Sequence, residues 1–470
     1  MQHLRNDATL TQCVTKLLAG PCFPQYEFVR SGATFAHLHT MSAELQTSFR
    51  HVPRDRPVCL CANDKATVAA ALLASLAGGP TLVVPYAFSK QALSELHALT
   101  GYPLAVTDAS RPVPEGVQSI MPEGGHVSRA IGKSTPKSLD EDWVHLFTGG
   151  STGKPKLWTK SVRNLISETL SIVSTFAITE QDHLVATVDS NHIYGLLYAV
   201  LTPLLASAKV TATTPSFPNE IIRAVNDADA SILISVPAHY RALNGLTMHA
   251  PNLRLALSSA GMLAEVDANA FETQTGVGVT EIYGSTETGG IASRMRARGE
   301  SDFKPLKSVQ VRVADEHLQV KSDYLSPGLS LEDNGFFQMG DRVAPTQGGR
   351  FMLLGRADGV IKVGGRRVDL EAVREAIIAY PGIRDALVIA LPVGAGRENQ
   401  IAAIIEGEVS MDGLNRYFAK HLEAHARPRR IKTVQSMPVT SAGKYDRKAI
   451  VRLFASEPHK KMDGQMYTEM

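Results

Sequence analysis

Residues 145–158, HLFTGGSTGKPKLW, bring together glycines, hydroxyl residues and two lysines. Such residues in succession suit phosphate. Gly149, Gly150 and Gly153 let backbone N–H groups converge as a nest, Ser151 and Thr152 add hydroxyl donors, and Lys154 and Lys156 supply charge. The P-loop pattern fails here, because three residues rather than four separate Gly149 from Gly153 and Lys154 is followed by Pro155. A proline followed by KLW also suits no helix N-terminus that must cradle phosphate at that point. On these residues alone, a flexible anion-binding loop and a solvated turn both stay open.

Whatever such a loop holds must be presented by the surrounding elements. From residue 57 the chain alternates short apolar runs with helical ones: PVCLC, then KATVAAALLASLA capped by Asn63 or Asp64, then TLVVP. The same order returns in HLVATV, YGLLYAVLTPLLA and KVTATT, in EIIRAVNDA and SILISV, and in LRLALSS, AEVDANAFETQ and GVTEIYG. Repeated βαβ order predicts largely parallel sheets with helices on both faces, and ligands beyond the carboxyl ends of their strands. SSAGM at 258–262 and YGSTETGG at 283–290 fall at such ends. After about residue 300 the text becomes β-rich, and a second α/β pattern begins with DLEAVREAII. A domain boundary is expected inside LLGRADGVIK, and the polar last fifteen residues, SEPHKKMDGQMYTEM, are expected to be a mobile tail.

Composition narrows the function classes. A chain of 470 residues with 44% apolar and 20% charged residues is an ordinary globular protein of two or more domains. Its formal charge of +2, with no basic and aromatic stripe, argues against a nucleic-acid partner. The four cysteines, Cys13, Cys22, Cys59 and Cys61, fit no common zinc or redox spacing and read as plain thiols in a reducing compartment. The N-terminus lacks the order of a signal peptide and no apolar run is long enough to span a membrane, so a cytoplasmic protein is expected.

FTGGSTGKPK resembles the phosphate loop of the adenylate-forming superfamily, the acyl- and aryl-CoA ligases, luciferases and peptide-synthetase adenylation domains. NHIYG at 191–195, SSAGM, YGSTE at 283–287, MGD at 339–341, GRADGVIKVGGRRV at 355–368 and PVTSAGKYDR at 438–447 follow in the order of that family. The resemblance covers about residues 30–450 and is most similar to 4-coumarate-CoA ligases and fatty-acyl-CoA or acyl-ACP synthetases. It implies an α/β fold: a large N-terminal domain, 1–355, of stacked βα sheets plus a β-rich subdomain, a hinge at 356–358, and a small mobile α+β lid at 359–455.

The implied activity is ATP-dependent. A carboxylic acid attacks the α-phosphorus of ATP to give an acyl-adenylate and pyrophosphate, and the thiol of CoA or of a carrier-protein phosphopantetheine then displaces AMP. By resemblance, Thr148, Gly149, Gly150, Ser151, Thr152, Gly153, Lys154 and Lys156 would hold the β- and γ-phosphates. Thr286 would contact the α-phosphate and Glu287 would hold Mg²⁺, a hard cation usually bound by one carboxylate and substrate phosphates. Ser259, Ala260, Gly261, Tyr283 and Gly284 would surround adenine, Asp341 the ribose hydroxyls, and Arg356 the ribose and phosphate. His192 would sit beside the acyl carboxylate, in a pocket drawing on Tyr194, Leu197, His239, Tyr240, Ser259 and Gly284, with an aryl or cinnamyl acid slightly favoured over a medium-chain acyl group. Lys444 would carry the first half-reaction, its ammonium offsetting repulsion between carboxylate and phosphate. Asp358 would be the hinge, and Gly364, Gly365 and Arg367 would line the path of the thiol arm. ARPRRIK at 426–432 is a candidate surface for CoA phosphates or for an acyl carrier protein.

Departures are confined to uncharged positions. Gly149 stands for the family's usual Ser, Met339 for Thr, and Leu157 and Trp158 for Gly-Val. Two other readings use the same motifs, a non-catalytic adenylate-binding module and a luciferase-like oxygenase. Retention of both Lys444 and Glu287 argues against the first.

Overall fold

The structure is a computed structural model that describes residues 2–109, 111–124, 135–148, 156–356, 359–393, 398–438 and 447–455. The chain divides into two compact units, the break falling between Ala357 and Asp358.

Two sheets dominate the first unit. One has the order Gln118–Ile120, Leu104–Thr107, Val58–Cys61, Leu82–Val84, Asp142–Thr148, Lys156–Ser161, parallel throughout except for the last strand. The other runs Lys304–Pro305, Gly289–Met295, Val279–Ser285, Leu255–Ser258, Ile232–Ser235, His183–Ala186, Lys209–Val210. Its first two strands are antiparallel to their neighbours and the remaining strands are parallel. Both sheets are largely parallel, as expected, and each is closed at one end by antiparallel strands. Where the chain reverses through a short connection, as at residues 286–288, only an antiparallel return is geometrically possible.

Alternation along the parallel strands explains the layers. Val58 and Leu60 face one cluster, while Cys59 and Cys61 face another with Leu93, Leu96 and Tyr102. Ile232 and Ile234 join the first cluster, and Leu233 packs with Ile221 and Val225 of the helix Pro218–Ala228. Both faces of each strand are thus covered, as parallel sheets require. The helix Lys65–Leu76 shares the cluster that joins both sheets and is buried on every side, which its apolar text without an amphipathic stripe demands. Asp64 caps it by accepting from the Thr67 N–H at 2.7 Å. Cys59 and Cys61 are buried, whereas Cys22 is exposed.

A four-stranded antiparallel meander, Gln310–Ala314, His317–Lys321, Phe337–Pro345 and Phe351–Arg356, completes this unit. Its core includes Ile291, Ala292 and Phe303, so it is packed onto the antiparallel end of the second sheet.

The second unit is α+β. A hairpin, Val360–Val363 with Arg366–Asp369, leads to the helix Leu370–Ile378 and a three-stranded sheet of Ile383–Val393, Glu398–Gly407 and Arg430–Val434. The helix Met411–His421 supplies Leu414 and Phe418 to one core, and Ile450 and Phe454 of Arg447–Ala455 pack in another with Leu387 and Ile404. Among the described residues, no helix is long and apolar enough to cross a membrane.

Candidate functional site

Parallel pairing lays the carboxyl ends of Val279–Ser285, Leu255–Ser258, Ile232–Ser235 and His183–Ala186 side by side. Ser259, Ala260 and Gly261 follow Leu255–Ser258 at that edge, and Tyr283 and Gly284 lie near the end of Val279–Ser285. Ser259 donates to the Ile282 carbonyl at 2.9 Å, tying the SSAGM loop to the neighbouring strand. Ala260 has φ of 68°, a left-handed backbone unusual for a residue with a Cβ, and Gly261 follows it.

Tyr283 and Asp341 are brought together. The Tyr283 hydroxyl donates to Asp341 Oδ2 at 2.7 Å, and its ring packs against Phe303 and Phe351. Asp341 faces Arg356 across the meander ladder, so three residues from distant motifs share one locality. Met339, which stands for the usual Thr, is buried in the core of the meander.

Thr286 and Glu287 lie in the turn between Val279–Ser285 and Gly289–Met295. Gly284 permits the close approach of the strands, since a Cβ there would lie 2.2 Å from the Gly289 carbonyl oxygen. Ser285 and Thr288 bond to each other at 2.8 Å. The Glu287 carbonyl accepts from the Ser326 N–H at 2.8 Å and from Lys160 Nζ at 3.3 Å. No group of three or more His, Cys, Asp or Glu side chains suited to a metal occurs among the described residues. A single carboxylate in a turn fits Mg²⁺ held chiefly by phosphate oxygens, and does not fit a cation caged by protein alone.

On the other side of Leu255–Ser258, the end of the sheet is polar. Thr187 Oγ1 contacts Ser235 Oγ at 2.8 Å and His239 Nδ1 at 2.8 Å. Burial lowers the His239 pKa, so the ring is neutral at physiological pH. Tyr194 is packed against the main core with its ring centroid 4.9 Å from that of Tyr198, and burial drives its hydroxyl pKa well up. Leu197 is buried in the π-helical turn Leu196–Leu201. His192 is exposed, and its N–H donates to the Asp189 carbonyl at 3.3 Å. Gly195 permits this bend, because a Cβ would fall 2.0 Å from the Asp189 carbonyl oxygen. Tyr240 is placed differently. It is fully buried against Phe271 in the second core and its hydroxyl is taken up by the Leu257 carbonyl at 2.8 Å.

Thr148 pairs with Lys156 where the strands flanking the glycine-rich loop begin, and Lys156 Nζ lies 4.1 Å from the Trp158 ring centroid. Gly149, Gly150, Ser151, Thr152, Gly153, Lys154, Asp358 and Lys444 lie outside the described residues. In the second unit, Gly364 and Gly365 form the two-residue turn of the hairpin with φ of 55° and 79°. Both angles are those of a type I′ turn, a backbone reason for two glycines. Arg367 lies in the hairpin's second strand. Of the basic run, Arg427 caps helix carbonyls at Leu422 and Ala419, and Arg430 donates to the Phe454 carbonyl. Thr187, Ser235, Ser326, Lys160 and Glu168 were not singled out from sequence. Only Thr187 and Ser235 leave a signal, a hydroxyl ending an apolar strand at the ligand edge.

The mixed double sheet, its appended meander and the site at the carboxyl edge together define an adenylate-forming fold. The chain belongs to the AMP-binding enzyme family, whose pattern matches residues 22–325. It is 29% identical over 307 residues to a 4-coumarate–CoA ligase of Cereibacter sphaeroides, covering 63% of this chain and 68% of that one. It is 25% identical over 361 residues to an oxalate–CoA ligase of Arabidopsis thaliana, covering 68% and 69% respectively. In fold it is similar to the amide bond synthetase McbA of Marinactinospora thermotolerans, with a TM-score of 0.74 at 20% identity over 94% of this chain and 99% of that one.

Proposed function

We propose that the protein activates a carboxylic acid with ATP to an acyl-adenylate and transfers the acyl group to a thiol, as an AMP-forming acid–thiol ligase. The observation that carries this reading is the joint placement of Tyr283, Asp341, Thr286 and Glu287 around one hairpin, next to the polar strand ends at Ser259 and Ser235. In the first step an acid oxygen bonds to the α-phosphorus and the bond to pyrophosphate breaks. Thr286 contacts the α-phosphate, Asp341 takes the ribose hydroxyls, Arg356 reaches ribose and phosphate, and Tyr283 flanks adenine. Glu287 would hold Mg²⁺, which would supply positive charge against the phosphates. Residues 148–156 hold the β- and γ-phosphates, and Lys444 offsets repulsion between the two anionic reactants. In the second step the sulfur bonds to the acyl carbon, AMP leaves, and the thiol proton passes to solvent.

The acid pocket in this reading comprises His192, Tyr194, Leu197, His239, Ser259 and Gly284. Tyr240 is omitted because its hydroxyl is already bonded inside the core. A neutral His239 held by Thr187 suits an acid bearing a hydrogen-bonding group, in keeping with a hydroxylated aryl or cinnamyl acid. Incubation with ATP, Mg²⁺, pooled carboxylic acids and either CoA or a holo carrier protein, read by mass spectrometry, tests the proposal. AMP together with one new thioester is expected. ATP binding by calorimetry without pyrophosphate release from any acid would instead make the protein a binding module.

A further inference from the structure

Behind the Thr286 and Glu287 turn lies a pair of charged residues that no step above uses. Lys160 is 0% exposed and Glu168 4%. Lys160 belongs to the strand Lys156–Ser161, and Glu168 to the helix Val162–Thr175 that follows directly, capped by Ser161. Burying two ionisable groups costs desolvation that an apolar filling would avoid, so the pair calls for a further use.

Their partners indicate that use. Lys160 Nζ donates to the Tyr324 carbonyl at 2.7 Å and to the Glu287 carbonyl at 3.3 Å. Glu168 Oε1 accepts from the Gly290 N–H at 2.6 Å. The pair therefore grips the backbone within the turn, at Glu287, and at the start of the strand that follows it, at Gly290. Asn164, one helical turn before Glu168, donates to the Asp323 and Leu325 carbonyls, and the same segment returns the Ser326 N–H to Glu287. Gly289 leaves room for this arrangement, since a Cβ there would fall 2.4 Å from Glu168 Oε2. That oxygen is buried without a hydrogen-bond partner among the described residues. Burial pushes the Glu168 carboxyl up, and Lys160 and the Gly290 N–H oppose that shift.

We propose that Lys160 and Glu168 are positioning residues that fix the turn carrying Thr286 and Glu287 from behind, so that the Glu287 carboxylate is preorganised for the metal and nucleotide. This rests on the reading of Glu287 as the magnesium carboxylate. Neither residue touches substrate, and both act through the turn's backbone.

Hydrogen–deuterium exchange of the full-length, ligand-free enzyme tests the proposal, together with the Mg²⁺ dependence of pyrophosphate exchange. In Lys160→Met, amides of residues 284–290 should exchange at least about tenfold faster, near 1.4 kcal/mol of local opening, while residues 58–61 and 232–235 keep wild-type rates. The Mg²⁺ needed for half-maximal adenylation should rise several-fold. The double variant with Glu168→Gln should recover melting temperature, because the unpaired carboxylate is gone, yet keep the fast exchange of the turn. Uniformly faster exchange, or recovery of the turn together with stability in the double variant, would overturn the positioning role. If Lys160→Met does not fold, the double variant is read alone against the same criterion, and failure of both to fold makes the pair a determinant of global stability and also overturns it. Glu287→Gln is the control. If its Mg²⁺ dependence is unchanged, the metal assignment fails, while the exchange result still decides whether the pair holds the turn.

Discussion

The Tyr283 hydroxyl links the hairpin motif to the MGD motif, at 2.7 Å from Asp341. Asp341 pairs with Arg356 in the strand ladder, so in the proposed site Tyr283 would have a positioning effect besides flanking the base. Tyr283→Phe keeps the ring packing on Phe303 and Phe351 and removes the hydroxyl with its bond to Asp341 and its weaker contact with Met339 Sδ. The KM for ATP should rise about three- to tenfold, the effect of losing a hydrogen bond of about 1 kcal/mol, with little change in melting temperature. Unchanged KM would mean that Asp341 is set by its strand alone. A second residue reports on pH. Burial, aided by Arg30 and Lys209, lowers His183 from its ordinary 6.5 to about 4. Between those values the unfolded chain binds more protons than the native one, so stability falls as pH drops through that window. The melting temperature should therefore decline from about pH 6.5 to about pH 4, and His183→Gln should flatten that decline. An equally steep decline in the variant would place the acid sensitivity elsewhere, His39 being the next candidate because burial lowers it similarly.

At the scale of elements, turns decide more than strands do. The glycines at 364 and 365 were expected to clear a path for a thiol arm, and the structure places both at positive φ in a hairpin turn. The two roles separate by substitution. Gly365→Ala should destabilise the hairpin by about 1 kcal/mol, and Gly365→Asn, which tolerates the left-handed region, by less. If thioester formation follows that order, the turn is what matters. Equal loss in both variants would favour a steric demand for an absent side chain. Similarly, the helical text of residues 194–207 becomes three pieces, with π-helical turns at Leu196–Leu201. Periodicity alone could not predict that insertion, because apolar residues cover every side of the segment.

For the whole molecule, the division at Ala357 and Asp358 separates the nucleotide residues of the first unit from the expected lysine at 444 in the second. Lys444→Ala should cut adenylation by several kcal/mol of transition-state stabilisation, about 3, while leaving thioester formation from a supplied adenylate intact. Both half-reactions falling together would remove Lys444 from the specific role proposed for it. The βαβ order and the ordered motifs were legible in the sequence, since strand and helix periods and glycine punctuation are local properties. The antiparallel closing strands were not, because strand direction follows from where a connection lands.

What the sequence determined by itself is the set of chemical groups and their order along the chain: a Gly, Ser, Thr and Lys loop, a Thr-Glu turn, an Asp in MGD, and a late Lys. These are fixed by residue type, and no packing is needed to read them. Only the tertiary structure decided which groups meet. It joined Tyr283 to Asp341, sent Tyr240 into the core instead of the pocket edge, added Thr187 and Ser235 to His239, and set Lys160 and Glu168 behind Glu287. Each of these contacts spans strands or layers far apart in sequence, and a buried charge or a strand-end hydroxyl acquires meaning only from the groups that burial places against it.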